Sequence, residues 1–174
     1  MKHSIYLFLS LLVPVFITAQ KWKKFSDTSI RFTAKYPDNW VLKIKENKRV
    51  FFTSPAADGA DNFLENINIG VTENPAYGPQ AKITDFIPAM KNRLKGTLDE
   101  FAEESSRFFK WNGQDAGELI YSGIGKNSQA IRARVIQWFC FYKYRLYVLT
   151  FSAKAGTAIH NITAGKIMKS IVFR

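Results

Sequence analysis

The chain holds two histidines, His3 and His160, and one cysteine, Cys140. A nucleophile–base unit would have to pair Cys140 with His160. Neither residue carries a local catalytic signature. Cys140 sits among Trp138, Phe139, Phe141 and Tyr142, the setting of a buried, apolar thiol. His160 lies beside the apolar stripe of a terminal helix and is expected at its boundary. A zinc site needs three or four such ligands, which these counts do not provide. Asp58-Gly59-Ala60-Asp61-Asn62, with Glu65, is the nearest approach to a calcium loop. Its acids are three apart and its glycine is misplaced for a hand-like loop, so a solvated loop is expected. Gly123-Ile124-Gly125-Lys126 lacks the spacing of a phosphate cradle. No metal or cofactor is expected. The enzyme chemistry left open is a carboxylate-based hydrolysis, with acids from separate loops meeting in space. The main expectation is a protein that binds and does not catalyse.

Charge is the more informative chemistry. The chain carries 25 Lys and Arg against 14 Asp and Glu, a formal charge of +11. Lys21, Lys23 and Lys24 form one basic group, and Lys43, Lys45, Lys48 and Arg49 form another. The second is the candidate anion-binding surface, set against the plainer reading of a solvated basic surface with no dedicated partner. Asp99, Glu100, Glu103 and Glu104 form an opposing acidic cluster. Arg132 and Arg134 share a strand face that turns apolar at Ile136 and Trp138, so they read as exposed arginines at a strand end. They do not read as a stacking platform for nucleic acid. The expected partner is a protein or an anionic envelope component, with no specific nucleic acid.

Residues 1–20 have the three parts of a secretory leader: a cationic Met1-Lys2-His3-Ser4, an apolar run from Ile5 to Ile17, and small residues at Thr18-Ala19. That run is shorter than the roughly 20 residues a bilayer-spanning helix requires. Cleavage near residue 20 is expected, followed by export to the periplasm or the exterior. Residues 21–174 are then one domain, long enough to bury a core without disulfides.

The elements follow from hydrophobic period. Ile30, Phe32, Ala34 and Tyr36 alternate with polar residues, as do Trp40, Leu42 and Ile44 with Lys43 and Lys45, and Ile67, Ile69 and Val71 with Asn66 and Asn68. These are half-buried strands, with a further strand at Val50 to Thr53. Phe86, Met90, Leu94 and Leu98 recur every four residues and predict a helix, capped by Thr84 or Asp85, with Pro88 near its first turn. Strands resume after Ser105. Asn112-Gly113 predicts a tight hairpin, and Gln129–Tyr142 with Arg145–Ser152 predicts a second. Thr157 is the expected cap of a last helix whose stripe is Ile159, Ile162, Ile167 and Ile171. Trp40 and Trp138 are the expected core tryptophans, and Trp22 and Trp111 are assigned no binding role. Few strands are linked by a helix-length crossover, so the fold class is α+β with a mainly antiparallel sheet.

Tyr36-Pro37-Asp38-Asn39-Trp40 between the opening strands, the Trp111-Asn112-Gly113 hairpin, Tyr147-Val148-Leu149-Thr150-Phe151, and the closing Ser170-Ile171-Val172-Phe173 resemble the PsbP-like family, which includes secreted bacterial proteins. The resemblance covers most of residues 27–173. It implies an antiparallel sheet of about six strands sandwiched by helices, and a binding or assembly role with no shared reaction.

Overall fold

The computed structural model describes residues 20–45, 49–126, 131–157 and 159–174. The expected leader and Lys48 lie outside these residues, Gln20 excepted. Among the described residues, ten strands form two sheets. The strands are β1 (Trp22–Asp27), β2 (Phe32–Pro37), β3 (Val41–Lys45), β4 (Arg49–Thr53), β5 (Asn66–Glu73), β6 (Leu98–Trp111), β7 (Gln114–Gly125), β8 (Arg132–Tyr142), β9 (Arg145–Lys154) and β10 (Val172–Phe173). The large sheet has the order β3-β4-β5-β9-β8-β7-β6, with every neighbouring pair antiparallel. The small sheet has the order β1-β2-β10. Helix α1 (Ile83–Thr97) follows a short 3₁₀ turn (Pro75–Tyr77), and helix α2 (Asn161–Lys169) precedes β10.

Alternation along the strands gives the large sheet two buried faces. One face sends Val50, Phe52, Ile67, Ile69, Trp138, Cys140, Tyr147, Leu149 and Phe151 against α2 and the small sheet, which supply Phe32, Ala164, Ile167 and Phe173. The other face packs Leu119, Tyr121, Phe139 and Leu146 against Ile83 and Ile87 of α1. The sheet is therefore sandwiched, as expected. It has seven strands where about six were expected, and three more pair in a separate sheet.

Gly117 sets how closely α1 can lie. A Cβ there would stand 2.7 Å from Ile87 Cδ1. Only glycine lets the helix settle at this depth.

Several sequence expectations need correction. Strand β6 begins at Leu98, not after Ser105. Two register shifts, between Asp99 and Ala102 and between Glu103 and Ser105, let an acidic, poorly alternating segment still pair with β7. The cap of α1 is Lys82, which makes no side-chain cap bond. Thr84 and Asp85 fall inside the first turn, and Pro88 stands in the second turn and not the first. Helix α2 starts after His160, and the Thr157 hydroxyl donates to Lys154 O in the preceding turn. Ile159 and Ile162 are therefore exposed, while Ile167 and Ile171 are buried. Trp40 and Trp138 are in the core as expected, and Trp111 joins them. The described residues include no helix long and apolar enough to cross a membrane.

Candidate functional site

Strand register decides where the basic residues go. In an antiparallel pair, directly opposed residues share a face. Lys43 opposes Phe51 and Lys45 opposes Arg49, so Lys43, Lys45 and Arg49 stand on one face of β3–β4. All three are exposed. Lys45 Nζ lies 4.9 Å from the centroid of the Phe51 ring, a cation–π contact that holds the ammonium over the strand. Arg49 lies across Gly70 on β5, where an added Cβ would meet its Nε at 3.7 Å.

The same row continues inward. Phe51 opposes Asn68, Asn68 opposes Thr150, and Thr150 opposes Gln137. Gln137 Nε2 donates to Thr150 Oγ1 at 3.0 Å. Leu119, the next residue in the row, is already beneath α1. This face is thus covered by a helix over β7 and β8 and presents a basic and polar wall over β3, β4 and β5. The acidic side chains of β5 and β6 do not share these positions of the wall. Among the described residues, Lys43, Lys45 and Arg49 have no acidic partner.

Some basic residues elsewhere are paired with acids. Arg132 Nη1 pairs with Glu100 at 2.6 Å, and Arg134 Nη2 with Glu104 at 2.8 Å. The Lys91 ammonium pairs with Glu103 and holds that carboxyl below the usual carboxylate range. The acidic cluster on β6 therefore neutralises the β8 arginines and a lysine of α1. On β3–β4, by contrast, none of the three cations has an acidic partner among the described residues.

The catalytic candidates have different neighbours. Cys140 is buried on β8, and burial pushes its thiol up to about 12. His160 packs edge-on against Trp40, with ring centroids 5.8 Å apart. Its Nε2 lies 3.9 Å from Glu65 Oε2, and the Ser54 hydroxyl donates to that same oxygen at 3.1 Å. The serine thus meets the acid and not the imidazole, the wrong order for an activated hydroxyl. Glu65 and Ser54 are buried. Nothing in the sequence singled out their contact, because they come from β4's end and a separate loop. In the calcium-like loop, Asp61 accepts from the N–H groups of Ala57 and Phe63 at 2.9 and 3.1 Å, and Asp58 accepts from Ala60 at 2.8 Å. Those carboxylates are occupied by turn donors.

The sequence reading missed a cleft of about 810 Å³ at one end of the large sheet. It opens between the start of α1 and the tips of the β6–β7 and β8–β9 hairpins. Its walls include Tyr77, Phe108, Phe141, Tyr142 and Tyr144. The signal available was Tyr142-Lys143-Tyr144, an aromatic and cationic sequence occupying a tight turn.

No family model and no curated protein matches the sequence. Solved structures do match the fold. Cyanobacterial PsbP (CyanoP) from Synechocystis sp. PCC 6803 superposes with a TM-score of 0.61 at 14% identity, covering 94% of this chain and 99% of that one. The fold is PsbP-like. Its neighbours extend beyond photosynthetic organisms. The Ran-binding protein Mog1p of Saccharomyces cerevisiae has a TM-score of 0.57 at 9% identity, covering 89% of this chain and 96% of that one. LpqN of Mycobacterium tuberculosis, a protein involved in cell envelope biogenesis, has a TM-score of 0.53 at 15% identity, covering 92% and 88%. At these identities the likeness is one of fold.

Proposed function

We propose that this protein is an exported binding domain, residues 21–174 after removal of the leader, that acts by surface contact and not by catalysis. Its partner is an anionic component of the envelope, docked on the wall of Lys43, Lys45 and Arg49, with Lys48 in the same sequence cluster. The observation that carries this reading is the placement on one face of β3–β4 of three cations that have no acidic partner among the described residues, while β6 acids neutralise Arg132 and Arg134. A surface of one sign attracts partners of the other. The fold neighbours support the wider reading: one binds Ran, and one is involved in envelope biogenesis. The cationic, apolar and small-residue order of residues 1–20 supports export.

The test is retention on a heparin column and on vesicles of anionic lipid across a salt series. Binding should weaken steeply as the Debye length contracts from about 10 Å at 0.1 M to about 3 Å at 1 M salt. Lys43→Glu, Lys45→Glu and Arg49→Glu together should abolish it. Retention that ignores salt, or survives the triple reversal, rejects the docking wall. Mass spectrometry of the protein from an envelope fraction should give an N-terminus near Lys21. An intact leader on cytosolic protein rejects export.

A further inference from the structure

The geometry points to a second site: we propose that the aromatic cleft binds a small aromatic compound carrying one anionic group, an aryl carboxylate or sulfonate. This stands apart from the basic wall and does not depend on it.

The cleft's volume, about 810 Å³, is that of a small-molecule site and far more than a few waters need. Its floor is aromatic. Tyr77 and Phe141 lie with ring centroids 5.2 Å apart and planes at 31°. Phe108 and Tyr144 also line the cleft and are 55% and 57% exposed. Two large rings left more than half in water, facing a shared concavity, gain most from a flat apolar occupant.

The rim selects charge. Lys82 and Lys143 line it, and neither has an acidic partner among the described residues. Lys143 Nζ stands 5.0 Å from the centroid of the Tyr142 ring, so the ammonium is held over the aromatic wall. The one acid among the lining residues, Asp115, is taken by Lys110 at 2.8 Å. An anion entering the cleft therefore meets two cations and a carboxylate that is already paired.

The backbone supports the same conclusion. At the β6–β7 tip the chain uses Asn112 and Gly113 at φ 52° and 78°, residues suited to that conformation. At the β8–β9 tip Lys143 and Tyr144 adopt φ 50° and 60°, where such side chains are disfavoured. The turn is held by Asn74 N donating to Tyr144 O at 3.0 Å, and by the Tyr144 ring resting on Gly78. The disfavoured turn places Lys143 and Tyr144 at the cleft, one as cation and one as ring. Strain kept at a concave surface is a mark of a site.

The test uses two fluorescent probes with one ring skeleton. 1-Anilinonaphthalene-8-sulfonate carries the anion, and N-phenyl-1-naphthylamine lacks it. The purified protein should bind the sulfonate saturably at one site, at least tenfold more tightly than the neutral amine. Phe108→Ala and Tyr144→Asn should each weaken the sulfonate at least fivefold. Lys82→Gln with Lys143→Asn should reduce it to the level of the amine. Circular dichroism and urea midpoints confirm that these exposed-site variants remain folded. The triple reversal of Lys43, Lys45 and Arg49 should leave the probe bound, which separates this site from the wall. Non-saturable binding, equal affinity for the two probes, indifference to Phe108→Ala and Tyr144→Asn, or loss in the triple reversal each overturns the proposal.

Discussion

The indole nitrogen of Trp138 donates to Glu118 Oε2 at 2.7 Å, within the face of the large sheet that packs on α2. The other oxygen of that carboxylate pairs with Arg107. Glu118 is 7% exposed, whereas the Arg107 side chain is 64% exposed. The acid thus ties a core indole to a surface cation across β6, β7 and β8. Removing a buried partner leaves a buried donor unsatisfied, and that dominates over the exposed half of the pair. Glu118→Ala should cost about 2–4 kcal/mol in urea unfolding, and Arg107→Ala about 1 kcal/mol or less. Equal costs for the two variants would refute this division.

Gly117 predicts a steric effect of similar size. A methyl there runs into Ile87, with the Ile83 Cγ1 only 3.3 Å away. Gly117→Ala should lose about 1–3 kcal/mol, the usual range for overpacking a well-filled core. Gly96→Ala, on the same α1, meets nothing within 4 Å, and should gain up to about 1 kcal/mol from helix propensity. Opposite signs in the two urea midpoints are the expected result.

Cys140 should be silent toward thiol reagents. With the thiol pushed up to about 12 by burial, the thiolate fraction at pH 8 is about one in ten thousand, and the sulfur has no route to solvent. Labelling by a disulfide reagent at pH 8 should be negligible in the native protein and rapid in 8 M urea. Rapid native labelling would mark Cys140 as a reactive group and reopen its chemistry.

Much of this arrangement could be read from period and turn residues. The strands at Phe32–Pro37 and Asn66–Glu73, the Asn112-Gly113 hairpin and the α1 stripe all follow local rules that tertiary contacts reinforce. Strand β1 was not read, because Trp22-Lys23-Lys24-Phe25-Ser26-Asp27 alternates poorly and buries mainly Phe25. The first half of β6 was missed because a row of acids does not look like a strand. It pairs with β7 and packs Leu98 and Phe101 on the α1 side of the sheet, while its acids meet Arg132, Arg134 and Lys91 from other elements. The basic cluster was legible as composition, but its common face needed the register of β3 on β4. The cleft was not legible at all, since its walls come from α1 and from two hairpins distant in sequence.

Acid should weaken the fold through carboxylates held ionised by local donors. Asp27 is lowered by the Ser29 hydroxyl and the Ile30 and Ser29 N–H groups. Glu103 is lowered chiefly by the hydrogen bond from Lys91. A depressed folded-state value means that stability is present above the ordinary carboxylate range and is lost as pH falls through the folded one. The melting temperature should therefore be flat from pH 7 to about pH 5 and fall below about pH 4. Asp27→Asn should start lower at neutral pH and show a shallower acid limb. An acid limb identical to that of the parent would remove Asp27 from this account.

The β8–β9 turn sets stability against the cleft. Lys143 and Tyr144 both hold positive φ, and Asn-Gly is the pair that adopts such a turn with least strain. Replacing both, Lys143→Asn with Tyr144→Gly, should relieve that strain and raise stability by about 1–2 kcal/mol. The same exchange removes a rim cation and a ring that lines the cleft. The doubly substituted protein should therefore melt at a higher temperature and bind the aryl sulfonate at least tenfold more weakly. A variant that gains stability and keeps its affinity would show that the strained turn is unrelated to the cleft. A variant that loses stability would show instead that Tyr144 against Gly78 contributes more than the backbone strain costs.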